Sequence, residues 1–108
     1  MAKKTDPNSL AKINFDLNQF DENGLYGPAN GKRAMDYEFC IPKEEDKLAK
    51  VKSIDPSLQI HADSKGRIAC SKQQYLCIGN THQPNFKAIL IELSNQPFIE
   101  RIEQTFFE

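Results

Sequence analysis

Two short polar turns contain the residues of this sequence that are best suited to bind an anion. Lys43 follows one apolar strand pattern, and Asn80, Thr81 and His82 follow a second strand pattern that ends at Gly79. Lysine and protonated histidine supply positive charge, and the unpaired N–H groups at the start of a helix bind phosphate or carboxylate. The two turns therefore predict a site for a small anionic ligand, provided that the fold brings them together.

The same residues also suit a purely structural role. Asn80 or Thr81 can accept a hydrogen bond from the first turn of a helix, which is how helix N-termini are commonly capped. A single histidine in a polar turn is more often solvated than functional, and one lysine on a surface with 27% charged residues needs no special role. Capping and solvation are thus the alternative to ligand binding.

Three cysteines give the sequence a second candidate chemistry. Cys40 and Cys77 lie in strand patterns, and either thiol could act as a nucleophile with His82 as its base, although buried cysteine more often only fills apolar space. An odd number of cysteines without a Cys-x-x-Cys pair favours reduced thiols over disulfides, and hence the cytoplasm. The spacing of His61, Cys70, Cys77 and His82 matches no zinc site, so the sequence predicts no metal and no cofactor.

The elements that must position these residues follow from the apolar periodicity after residue 34. A first strand has alternating apolar side chains at Met35, Tyr37, Phe39 and Ile41. Residues 43–53 then predict a helix that buries Leu48 and Val51 and stops at Asp55-Pro56, because the residue before proline avoids helical dihedrals. Short strand candidates follow at 58–62, 67–70 and 75–79.

The C-terminal third predicts one more helix and a closing element. Apolar residues recur at helical spacing at Phe86, Ile89, Leu90 and Leu93. Residues 98–107 fit a strand or a helix, and we favour the strand because it completes the pattern. The order of elements predicts an α+β domain over 34–108 with the split β-α-β-β-α-β (ferredoxin-like) arrangement, one sheet with both helices on one face.

Residues 1–33 differ in composition from the rest of the chain, because asparagine and glycine are frequent there. This composition predicts an N-terminal arm. Alternation at Ile13, Phe15 and Leu17 indicates an extra strand within 13–20 that packs on its own subunit or on a neighbour. An arm of this kind, together with a partly apolar open sheet face, would support a homodimer.

The proposed anion site depends on the direction of two strands. We expect the first and third core strands to be parallel neighbours, which would place Lys43 and the 79–82 turn at the same end of the sheet. The face opposite the helices is expected to be open and to display Asp36, Glu38, Cys40, Tyr75 and Cys77.

Composition narrows the function classes. A net charge of −1 and two carboxylates expected on the open face disfavour nucleic acid as a partner. The longest aliphatic run, residues 88–91, is far shorter than a membrane span. We therefore expect a cytoplasmic, non-catalytic binding or regulatory domain for a small anionic ligand or a protein partner. The alternatives are a thiol-dependent enzyme using Cys40 or Cys77 with His82, and a self-association module without a ligand pocket.

Overall fold

A four-stranded antiparallel sheet and two helices organise residues 10–105, which are the residues described by a computed structural model of this chain. The elements in chain order are β1 (Asp36–Pro42), α1 (Glu45–Ile54), β2 (Gln59–His61), β3 (Gln74–Asn80), α2 (Phe86–Ser94) and β4 (Glu103–Gln104). Across the sheet the strand order is β2-β3-β1-β4. The predicted α+β class is confirmed, and so are strand β1 and both helices, to within a few residues at their ends.

The main core lies on one face of the sheet. Tyr37, Phe39 and Ile41 of β1 are fully buried there, as the period-two pattern predicts. The same core takes its helical side chains from Val51 of α1 and from Phe86, Leu90 and Leu93 of α2. Each such side chain contributes about 1.5–3 kcal/mol when it is removed from water, which makes this face the main source of stability.

Strands β1 and β3 are neighbours, but they are antiparallel, so the expectation that they are parallel is wrong. Asp36 pairs with Asn80 at one end of the ladder and Pro42 pairs with Gln74 at the other. The physical reason is the number of chain reversals between them. Helix α1 returns the chain so that β2 starts in the direction of β1, and the reversal between β2 and β3 then makes β3 run the opposite way.

The register of β1 and β3 also corrects the expected sheet faces. Directly opposed residues of an antiparallel pair share a face, and Cys77 lies opposite Phe39 while Tyr75 lies opposite Ile41. Cys77 and Tyr75 therefore belong to the helix-covered core rather than to the open face. A shift of one residue exchanges the two faces of a strand, so Leu76 lies on the face where its neighbours Tyr75 and Cys77 were expected.

The second face of the sheet is not open, because residues 62–73 fold across it. Ile68 and Cys70 of this segment form a second apolar cluster with Leu76, and Cys40 and Ile78 pack against it. Residues 67–70 were expected to form a strand, which is wrong. They form a turn in which Ala69 has a left-handed φ of 66°.

Cys40 and Cys70 are joined by a disulfide, which corrects the expectation of three reduced thiols. Their separation of 30 residues forms no recognisable motif, and they meet only because residues 62–73 return to the surface of β1. Cys77 is a free and buried cysteine.

The part of the arm within the described residues packs on the domain. Ile13 forms a single parallel bridge with Ile102, and Leu17–Gln19 form one turn of 3-10 helix. Phe20 enters the main core, where its ring centroid lies 5.1 Å from that of Phe86. The predicted arm residues 1–9 lie outside the described residues.

The closing segment is a strand only at β4, which pairs with β1 through Tyr37 opposite Gln104. Ile99 and Ile102 are buried ahead of it in non-repetitive backbone, so the favoured strand is confirmed for a small part of 98–107. Residues 106–107 of that prediction lie outside the described residues.

Candidate functional site

The two predicted halves of the anion site lie at opposite ends of the β1–β3 ladder. Lys43 follows β1, where its backbone N–H donates to Gln73 O at 2.9 Å, just before β3 begins. Asn80, at the far end of β3, pairs with Asp36 at the start of β1. Strands of this length separate the two ends by about 20 Å. The structure therefore does not bring Lys43 together with His82, and the expected convergence of the two turns is wrong.

At the His82 end, Thr81 links the arm to the sheet. Its hydroxyl donates to Gly24 O at 2.7 Å and accepts the N–H of Met35 at 2.9 Å. The Thr81 side chain is fully buried, so both of its hydrogen-bonding functions serve the fold. Gly24 touches this turn so closely that a Cβ built on it would lie 1.7 Å from Thr81 O.

Asn80 and His82 complete the same turn. Asn80 Oδ1 accepts the His82 N–H at 2.8 Å, and Asn80 Nδ2 donates to Asp36 Oδ1 at 2.6 Å. His82 is exposed, and its Nδ1 lies 3.0 Å from Asn23 O. Neither Asn80 nor Thr81 caps α2, whose N-cap residue is Asn85, so the structural role of this turn is different from the expected one.

A buried polar network lies behind this turn, and it was not predicted from the sequence. Asp55 is 1% exposed and accepts hydrogen bonds from the Tyr37 hydroxyl and, at 2.6 Å, from the Ser57 hydroxyl. Gln83 Nε2 lies 3.1 Å from Asp55 Oδ1 and 3.2 Å from the oxygen of Tyr37. Burial, and next the Asp55 charge, raise the pKa of the Tyr37 hydroxyl well above its usual range, which keeps it a proton donor.

The surface cavity beside this network is poorly suited to an anion. It has a volume of about 480 Å³ and is lined by Glu22, Asn23, His82, Gln83, Pro84 and Asn85. The carboxylate of Glu22 lies in this lining and would repel an anion. Gln83 Oε1 is buried without a hydrogen-bond partner, but it faces no solvent and so offers nothing to a ligand in this conformation.

The Lys43 end has the opposite character. An open cavity of about 380 Å³ is lined by Lys43, Ala62, Asp63, Ser64, Lys65, Ser71 and Lys72, and we call it the lysine cavity. Three lysines face one carboxylate, and two serine hydroxyls can donate hydrogen bonds. The Lys43 ammonium also lies 5.8 Å from the ring centroid of Tyr75, at the wall of the sheet.

Only Lys43 among the residues of the lysine cavity was predicted from the sequence. Lys65 and Lys72 lie on either side of the turn that carries Cys70, and each directly follows a serine. This repeated Ser-Lys pair is the one signal in the sequence that points to the cavity. The two pairs reach the same cavity as Lys43 only because residues 62–73 fold back on β1.

The thiols do not form the activated pair that the enzyme alternative needs. Cys40 is held in the disulfide, and burial raises the pKa of the Cys77 thiol to about 12, with a further contribution from the Asp55 charge. A thiol with such a pKa stays protonated near neutral pH and is a weak nucleophile. His82 faces Asn23 O at the surface instead of a sulfur atom.

The described residues contain no group of three or more histidine, cysteine, aspartate or glutamate side chains placed to hold a metal ion. Within residues 10–105, no helix is both long and apolar enough to cross a lipid bilayer.

Comparison with known proteins gives no further guidance, because no family model, no curated protein and no solved structure matches this chain.

Proposed function

We propose that this protein is a small, non-catalytic binding domain that holds an anionic ligand in the lysine cavity. The proposal keeps Lys43 from the sequence-predicted site and replaces Asn80, Thr81 and His82 by Lys65 and Lys72. One observation carries it: three lysines surround a single cavity in a chain whose net charge is −1, with one carboxylate among them. The lining residues of the cavity thus carry a formal charge of +2, whereas the rest of the chain carries −3.

The expected affinity is modest, because the lysines are exposed. Two unit charges 4 Å apart in water interact with about 1 kcal/mol, so three lysines around a singly charged oxyanion contribute about 3 kcal/mol, which corresponds to a dissociation constant in the millimolar range. The serine hydroxyls favour tetrahedral oxyanions such as phosphate, which accept several hydrogen bonds at once.

The test is a titration of the isotopically labelled protein with inorganic phosphate at low ionic strength, followed by NMR. We expect saturable shifts of amides in residues 62–65 and 71–72, and we expect Lys72→Gln to weaken binding about fivefold, the equivalent of about 1 kcal/mol. Lys50→Gln, which makes the same charge change on the exposed side of α1, is the matched control and should leave binding unchanged.

Two results would count against the proposal. One is the absence of any saturable shift at phosphate concentrations well above the millimolar range. The other is a set of shifts centred on residues 80–85, which would assign the anion to the His82 end instead.

We also propose that the fold is a variant of the split β-α-β-β-α-β (ferredoxin-like) arrangement. The support is that β3 lies between β1 and β2, the two strands joined by α1, and that β4 lies on the outer side of β1. Backbone assignments and inter-strand contacts measured by NMR would test this order, and a β1–β2 contact would contradict it.

A further inference from the structure

The lysine cavity is built mainly on a segment that directly follows β2 and directly precedes β3. All of its lining residues except Lys43 lie in residues 62–73, which contain no helix or strand. Within this segment only Ile68 and Cys70 are buried. Lys43 and Lys72 lie next to strands, whereas the position of Lys65 depends on what holds these two residues against the sheet.

Ile68 is held by side chains from two other parts of the chain. Its N–H donates to Glu38 Oε2 at 3.0 Å, and its carbonyl accepts from Arg101 Nη2 at 2.6 Å. These contacts fix the middle of the turn. Ser71 and Lys72 lie beyond it and are held at the start of β3, where the Ser71 N–H donates to Gln74 Oε1 at 2.8 Å and the Gln74 N–H donates to Ser71 O at 3.1 Å.

Cys70 is held by the covalent bond to Cys40 of the central strand β1. It also ties the two halves of the cavity wall together, because its N–H donates to Lys65 O at 2.9 Å and it directly precedes Ser71. The disulfide is thus a covalent cross-link, in addition to the backbone at both ends of the segment, between the central strand and the wall that presents Lys65.

We propose that the Cys40–Cys70 disulfide is a redox switch for the lysine cavity, which is ordered and anion-binding when the two cysteines are oxidised and is loosened when they are reduced. The inference rests on the proposed function, since it concerns regulation of the same site. A dithiol reductant is the reaction partner: its first thiolate attacks one sulfur, which breaks the Cys40–Cys70 bond and forms a mixed disulfide. Its second thiolate then releases the protein thiol, so that two electrons and two protons reside on Cys40 and Cys70 and the reductant becomes a disulfide.

The direction of the switch follows from population arithmetic. Reduction removes the covalent link but leaves the Ile68 contacts, so residues 62–73 keep their place for a fraction of the time. The apparent dissociation constant rises in inverse proportion to that fraction, and a fraction of about one tenth gives a tenfold loss of affinity. In the cytosol such a bond would form and break, whereas in an oxidising compartment it would stay formed and keep the cavity ordered.

The experiment compares the full chain, oxidised and then reduced with dithiothreitol, in the same phosphate titration. We expect about tenfold weaker binding after reduction, and the double variant Cys40→Ser/Cys70→Ser should bind like the reduced protein in both conditions. Cys77→Ala keeps the disulfide and serves as the control, which should respond to reductant as the unaltered chain does.

Amide hydrogen exchange provides a readout that does not need a ligand. Exchange at Ile68 and Cys70 should become faster on reduction, while exchange at Leu76 in β3 should stay slow and so report that the sheet is intact. This second measurement also covers the case in which the double variant folds poorly.

The outcomes separate the two proposals. Equal phosphate binding in both redox states would overturn the switch and leave the anion site standing. No phosphate binding in either state would overturn both. A protein that keeps three free thiols under oxidising conditions would overturn the switch alone, because no disulfide would then exist to be reduced.

Discussion

The two ends of the β1–β3 ladder differ in how their polar groups are used. At the His82 end, the hydroxyl of Thr81 and the carboxylate of Asp55 are buried and fully engaged in hydrogen bonds within the protein. At the other end, Lys65 and Lys72 are exposed around an open cavity. The buried polar groups of the first end stabilise the fold, whereas the exposed lysines of the second end keep their charge available to a ligand.

The role of a polar turn after a strand therefore depends on whether its side chains are buried. Asn80, Thr81 and Lys43 all follow strands and looked alike in sequence. A buried hydroxyl must find partners inside the protein, because leaving it unpaired costs about 1–3 kcal/mol. An exposed lysine pays no such penalty and keeps its charge available.

The largest effect is expected at Gly24, whose backbone contacts Thr81 at the His82 end. Gly24→Ala would place a Cβ 1.7 Å from Thr81 O, on a residue with a positive φ of 75°. Since backbone atoms must move to relieve this overlap, we expect a loss of about 4 kcal/mol or more in the free energy of unfolding. Urea denaturation followed by circular dichroism measures it.

Gly31→Ala is the matched control for Gly24→Ala. A Cβ on Gly31 would meet its nearest neighbour, Pro28 Cγ, at 3.7 Å, which is an ordinary contact. We expect a change within about 0.5 kcal/mol. Equal effects of the two substitutions would show that the contact between Gly24 and Thr81 does not hold the arm in place.

A smaller effect is expected from Asp55→Ala, which removes the acceptor at the centre of the buried network. The Tyr37 and Ser57 hydroxyls would lose their partner away from water, and we expect a loss of about 3 kcal/mol in the free energy of unfolding. Asp63→Ala, at the exposed lysine cavity, is the control and should change stability by less than about 0.5 kcal/mol.

The same two variants should have the reverse order of effects on phosphate binding. Asp63 is the one carboxylate that lines the lysine cavity, so its removal should strengthen phosphate binding a few-fold. Asp55→Ala should leave phosphate binding unchanged in the fraction that remains folded. An Asp63→Ala protein that binds phosphate more weakly would contradict an electrostatic anion site.

The elements of this fold could be predicted from the sequence because each carries its own periodicity. Tyr37, Phe39 and Ile41 alternate, and Phe86, Leu90 and Leu93 repeat at helical spacing, so β1 and α2 were found in place. Lys43 is the one residue of the lysine cavity that was predicted, because it directly follows β1. Local pattern was sufficient for these residues.

What could not be predicted depends on how distant segments meet. The direction of β3 depends on the number of chain reversals after β1, and the pairing of Cys40 with Cys70 depends on the path of residues 62–73. No local pattern contains that path, because these residues form neither helix nor strand. Lys65 and Lys72 were not predicted for the same reason. The contact between Asp55 and Gln83 likewise depends on how distant segments pack together.

The smallest predicted effect concerns the pH dependence of the turn that contains Gly24. It tests whether acid destabilises the His82 end while the lysine cavity stays unchanged. The Asp21 carboxylate, whose Oδ2 lies 2.6 Å from Lys32 Nζ, shapes the turn that contains Gly24, and its Oδ1 accepts the Leu25 N–H at 3.1 Å. The hydrogen bond from Lys32, followed by that from the Leu25 N–H, lowers the Asp21 pKa from 3.8 to about 2. Because the folded-state pKa is the lower one, the stabilisation is present above pH 3.8 and is lost as the pH falls toward about 2.

An NMR titration of the Asp21 carboxyl measures this directly. We expect a midpoint near 2 in the unaltered protein and a midpoint nearer 3.8 in Lys32→Gln, which removes the first cause of the shift. The amides of Gly24 and Thr81 should follow the same midpoint, while those of residues 71–72 at the lysine cavity should not respond to it. If Asp21 titrates near 3.8 in the unaltered protein, the ion pair does not order this turn, and the closed character of the His82 end must come from the buried network of Asp55 alone.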